Sequence, residues 1–64
     1  MPVINISMHK VNDQMKTDLI RRLTDASVEV TGVPADRFTI FINEMDECNI
    51  GLGGKTYKEI KAAR

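Results

Sequence analysis

The chain has 64 residues, which predicts one domain over residues 1–64 and a chain that buries only about 60% of its unfolded surface alone. Nine Lys and Arg balance nine Asp and Glu, so the zero net charge excludes nucleic acid or an anionic membrane as main partner. The single Cys48 excludes an internal disulfide and fits a reducing cytoplasm, and no segment reads as a signal peptide or membrane span.

Residues 2–8, PVINISM, read as a strand. Pro2, Ile4, Ile6 and Met8 share one face, and Val3, Asn5 and Ser7 the other. Pro2 is an odd opening, because proline within a chain has no N–H to give a ladder. Strand starts tolerate it there. A second reading depends on removal of Met1, which leaves Pro2 with a free secondary amine. That nitrogen would be a base without a flexible tether. Apolar neighbours and cations would lower its pKa towards working pH.

Asn12 is the expected N-cap of a helix over residues 13–31. Met15, Leu19, Leu23, Ala26 and Val30 form its apolar stripe, with Ile20 and Ser27 at the edge. Asp18 precedes Arg22 by four residues, the spacing of an ion pair. Gly32 ends the helix and Pro34 prevents its continuation. Residues 37–43, RFTIFIN, read as a second strand, parallel to the first because a long helix joins them. Arg37 opens this strand, with two readings: a forked contact to a carboxylate, or a solvent-facing strand end. Two strands and one helix leave one sheet face bare, with Val3 and Phe41 on it, so an obligate oligomer is expected.

Glu44, Asp46 and Glu47 read as a solvated turn. His9 and Cys48 are the only soft ligands and lack paired spacing, so no metal centre is expected. A Cys48 nucleophile would need His9, and no feature of the sequence brings the two together. GLGGKT suggests a phosphate loop, but Asn49 stands where the pattern needs glycine, and too little chain follows for the helix. A tight glycine turn or small hairpin explains it better. The remainder, YKEIKAAR, is a basic tail with room for a helical turn.

Together these features resemble the 4-oxalocrotonate tautomerases, short-chain members of the tautomerase superfamily. The resemblance covers essentially the whole chain. It rests on the Met1-Pro2 start, the helix end near Gly32-Val33-Pro34, the strand close Ile42-Asn43-Glu44-Met45, and the turn Asn49-Ile50-Gly51-Leu52-Gly53-Gly54. It implies an α/β (α+β) fold: a β-α-β unit with parallel strands plus a small C-terminal hairpin, assembled as a homohexamer, a trimer of dimers. It implies no cofactor. It also implies that Met1 is cleaved and that Pro2 is the catalytic base. In the family this proline takes the 2-hydroxyl proton of a dienol and returns one to carbon. The substrates are small 2-hydroxy-dienoate acids of aromatic catabolism, or related enols such as phenylenolpyruvate.

This chain departs from the family in its substrate-binding set. The family's arginine after the first strand is replaced by His9-Lys10-Val11-Asn12, leaving Lys10 as the nearby cation. Its second-strand arginine aligns with Thr39, and Arg37 stands two residues earlier, roughly 6.6–7 Å along a strand. Its aromatic residue before the glycine turn aligns with Ile50, and its C-terminal basic residue with Lys61. The resemblance thus assigns Pro2 as catalytic, and Arg37, Lys10, Thr39 and Ile50 as substrate-binding. Loss of two guanidinium contacts predicts weak activity on the dicarboxylate dienol. The alternatives are a non-catalytic member, or a hydratase or dehalogenase in which Glu44 or Asn49 helps.

Overall fold

The computed structural model describes residues 2–63. Met1, whose removal the proline-base reading requires, and Arg64 lie outside the described residues. Strand β1 (Val3–His9) pairs in parallel with β2 (Thr39–Met45), from Val3 opposite Thr39 to His9 opposite Met45. Helix α1 (Asp13–Thr31) connects them. A short antiparallel hairpin, β3 (Gly51–Leu52) and β4 (Lys55–Thr56), follows, and then α2 (Tyr57–Ala62). The architecture is the expected α+β fold, a parallel β-α-β unit with a small C-terminal hairpin.

The boundaries of α1 follow from its caps. Asn12 Oδ1 accepts the Met15 N–H at 2.8 Å, satisfying a donor that the first turn leaves free. At the other end Gly32 adopts φ 75°, and its N–H donates to the Val28 carbonyl at 2.8 Å. Glycine takes that left-handed conformation without a Cβ penalty. The hairpin uses the same freedom twice. Gly53 and Gly54 have φ 60° and 86°, the two positive values that a tight turn between twisted strands requires.

The half-buried side of α1 runs through Lys16, Leu19, Leu23 and Ser27. Met15, Ala26 and Val30, expected on that stripe, are exposed, Val30 at 84%. The covered side is rotated by about one residue from the expected stripe, with Lys16 and Ser27 half-buried in place of Met15 and Ala26. Asp18 also differs from expectation. It pairs with Arg21 at 3.2 Å, one position before Arg22, and accepts from Gln14 Nε2.

On the sheet, Ile4 stands opposite Ile40 and Ile6 opposite Ile42, all half-buried. The other face carries Val3, Asn5, Phe41 and Asn43, all exposed. None of the described residues is buried. The accessible surface is 4960 Å², against about 4100 Å² for a compact chain of this size. The radius of gyration is 15.1 Å, against about 11 Å.

Candidate active site

The residues expected to form the site fall at two opposite ends of β1. At its N-terminal end, the Pro2 carbonyl accepts the Thr39 N–H at 3.0 Å. This bond sits just ahead of the parallel ladder, so it fixes the backbone at residue 2 directly beside β2. Pro2, Val33, Asp36 and Arg37 line one cleft there. Arg37 does not open β2. It ends a 3₁₀ turn, Ala35–Arg37, and its N–H donates to the Pro34 carbonyl at 3.0 Å. Pro34 (φ −58°, ψ 147°) leads the chain into this turn, so β2 begins only at Thr39. Arg37 and Thr39 therefore do not share a strand face, yet the turn still brings Arg37 to the Pro2 cleft. Asp36, which the sequence reading did not single out, is the carboxylate in that cleft.

Lys10 and Ile50 stand at the other end. Pro2 and Lys10 flank β1, separated by about 26 Å of extended chain. Lys10 Nζ lies 2.8 Å from Asp46 Oδ1. The two follow the last ladder pair, His9 with Met45, by one residue each, so the parallel register carries them together. That register was the signal available for Asp46. Ile50 is half-buried in an adjoining cleft with Met8, Met45, Leu52 and Tyr57. His9 and Met45 line this cleft and also the one that holds Lys10 and Asp46.

The acidic run divides: Asp46 and Glu47 sit in the expected turn, with Asp46 exposed, whereas Glu44 is half-buried in β2. Each carboxylate engages a lysine: Glu44 with Lys16 at 2.6 Å, Asp46 with Lys10, and Glu47 with Lys61 at 2.7 Å. Glu44 Oε2 also accepts the Val11 N–H at 3.0 Å, bracing the loop after β1 against the end of β2. The hydrogen bonds from Lys16 and Val11 hold the Glu44 carboxyl below its ordinary range, which leaves it a poor acid for hydration chemistry. The Lys61 pair with Glu47 ties α2 to the turn before the hairpin, and Lys61 Nζ also lies 5.8 Å from the Tyr57 ring centroid of its own helix. His9 and Cys48 do line one cleft, though Cys48 Sγ has Asn49 Oδ1 as its neighbour at 3.9 Å. Among the described residues, no three His, Cys, Asp or Glu side chains group to hold a metal ion.

The lowered pKa of Glu44 makes a pH prediction. A depressed folded-state pKa stabilises the fold above the unfolded value, near 4.5, and that contribution disappears as pH falls through the folded value. Thermal melts of wild type and Glu44→Gln will therefore differ at neutral pH, with the variant melting lower. The gap will close as pH drops below about 4.5. A gap that persists unchanged into strong acid would show that the Glu44 charge contributes nothing.

The Tautomerase enzyme family model matches residues 2–60. A probable tautomerase of Bradyrhizobium diazoefficiens is 41% identical over 64 residues, spanning 98% of this chain and 96% of that protein. The 2-hydroxymuconate tautomerase of Bacillus subtilis is 27% identical over 62 residues, spanning 95% of this chain and all of that protein. The crystal structure of DmpI from Helicobacter pylori superposes with a TM-score of 0.84 at 29% identity, covering 95% of this chain and 97% of the other. With matches that run nearly end to end in both sequence and fold, the chain belongs to the tautomerase family.

Proposed function

We propose that this chain is an enol–keto tautomerase of small 2-hydroxy enol acids, with the Pro2 nitrogen, freed by removal of Met1, as general base. The observation that carries this reading is the cleft shared by Pro2 and Arg37. A base candidate and a cation that could meet a carboxylate line it together, which supports the reading. The substrate carboxylate pairs with the Arg37 guanidinium. Pro2 nitrogen takes the 2-hydroxyl proton, the enol oxygen becomes the ketone, and the displaced electron pair takes a proton at carbon from the prolinium. Protons and charge balance over the cycle, and no cofactor enters it. Thr39, fixed beside Pro2 by its backbone bond, borders the same end of the sheet.

Lys10 and Ile50 complete such a site only by belonging to another copy, because β1 holds them far from their own Pro2. Self-association is supported by the bare sheet face with Val3 at 45% and Phe41 at 51% exposure, and by the uncovered Met15 and Val30 on α1. The excess accessible surface, about 860 Å² per chain, is comparable to one side of a standard interface. We take the assembly to be a homohexamer, a trimer of dimers, working in the cytoplasm. The test is an ultraviolet ketonisation assay on Met1-free protein, confirmed by intact mass, with 2-hydroxymuconate and phenylenolpyruvate. Turnover that depends on Pro2 is expected. No turnover of either acid, or equal turnover by Pro2→Ala, would overturn the reading.

A further inference from the structure

We propose that Asp46 is a specificity-determining residue: it occupies the Lys10 ammonium and so turns the site towards enol acids with one carboxylate and an apolar tail. This rests on the tautomerase reading above. In that reading Lys10 is the cation left to meet a substrate's second carboxylate. Its ammonium already has a carboxylate oxygen at 2.8 Å. The pair is held from both sides. The Lys10 loop is anchored by the Val11 N–H on Glu44, and Asp46 opens a 3₁₀ turn whose Asn49 N–H donates to the Asp46 carbonyl at 2.8 Å.

Most charges around this pair are matched: Lys10 and Lys16 face Glu44 and Asp46, Glu47 stands against Lys61, and Lys58 lines the same cleft as a further cation. An arriving second carboxylate would meet a neutralised lysine and the repulsion of Asp46. To bind Lys10 it must either share the exposed ammonium beside the Asp46 charge or displace Asp46 and leave that carboxylate unpaired. The adjoining cleft offers the opposite chemistry. Ile50, Met8, Leu52 and the Tyr57 ring give an apolar wall, with Leu52 at 57% exposure. An aryl or alkyl tail gains there by leaving water, and a carboxylate would lose its hydration.

The experiment measures kcat and KM for 2-hydroxymuconate and phenylenolpyruvate on Met1-free wild type, Asp46→Asn and Asp46→Ser, with folding and assembly checked by circular dichroism and light scattering. Wild type is expected to favour the monoacid. Both substitutions are expected to raise the diacid-to-monoacid ratio of kcat/KM about threefold to fivefold, mainly through a lower KM for the diacid. Adding Lys10→Met to Asp46→Asn is expected to erase that gain, which separates a charge effect from a general loosening. An unchanged ratio in both single variants, a wild type that favours the diacid, or a gain that survives Lys10→Met would each overturn the inference while leaving the tautomerase reading intact. A wild type that turns over neither acid would overturn that reading, and this inference with it.

Discussion

Replacing Pro2 by alanine will lower kcat/KM for enol ketonisation by about 10²–10⁴-fold, with little change in thermal stability. The split between rate and stability follows from the bonding at residue 2. The chain is tied there through its carbonyl, which accepts the Thr39 N–H at 3.0 Å. Alanine retains that carbonyl, so the bond and the start of the ladder survive. It does not retain the ring. Proline's secondary nitrogen is held in the pyrrolidine ring, which prevents rotation about its N–Cα bond. Alanine presents a primary amine that rotates and is more strongly hydrated, so it is placed less well for proton transfer. Parallel kinetics and melts on the two proteins measure both quantities. Equal kcat/KM in the variant would remove Pro2 from the mechanism. A large loss of stability would show that the ring is needed for the fold and leave the kinetic loss without a chemical meaning.

Phe41→Glu will break the assembly and abolish most of the activity with it. In the lone chain the Phe41 ring is 51% exposed on the bare sheet face, so a polar residue costs the isolated fold little. In an assembly that covers this face, each copy loses the burial of one ring, worth about 1.5–3 kcal/mol. Each copy must also desolvate a carboxylate against its apolar neighbours. Symmetry repeats the penalty in every subunit. Light scattering at micromolar concentration should show wild type at a multiple of the chain mass and the variant shifted to smaller species. If Lys10 and Ile50 serve a neighbour's Pro2, as proposed, activity should fall by tenfold or more. A variant of unchanged mass and rate would show that the interface lies elsewhere.

Much of this architecture is legible in local chemistry. Asn12 and Gly32 bound α1 at Asp13–Thr31, the range read from capping residues alone. The glycine pair at 53 and 54 marks the hairpin, because few other residues accept two successive positive φ values. Alternation placed Ile4, Ile6, Ile40 and Ile42 on one face, and Val3 with Phe41 on the other.

What local pattern misses depends on neighbours brought from far along the chain. Arg37 reads as a strand residue because its neighbours alternate, yet the turn set up by Pro34 claims it first. The pairing of Lys10 with Asp46 requires the parallel register, and that of Glu44 with Val11 requires the loop to fold back over the strand end. Alignment alone groups Pro2, Lys10, Arg37, Thr39 and Ile50 as one site. The strand separates them into two ends, and no pattern within one chain shows whether another copy supplies one end to the other. The apolar Met15, Ala26 and Val30 mislead for the same reason. Periodicity marks them as needing cover, but not whether the cover is this chain's sheet or another copy.

The most direct test of the account is to follow the Pro2 nitrogen itself, by nitrogen-15 NMR, across pH in Met1-free protein, beside the pH dependence of kcat/KM. A general base is active when unprotonated, so the rate should rise with pH as the proton leaves Pro2. The account predicts a nitrogen that titrates below the ordinary range of a secondary amine, with the same midpoint as the rising limb of kcat/KM. A nitrogen that titrates as free proline does, while the rate rises through a different pH, would contradict it.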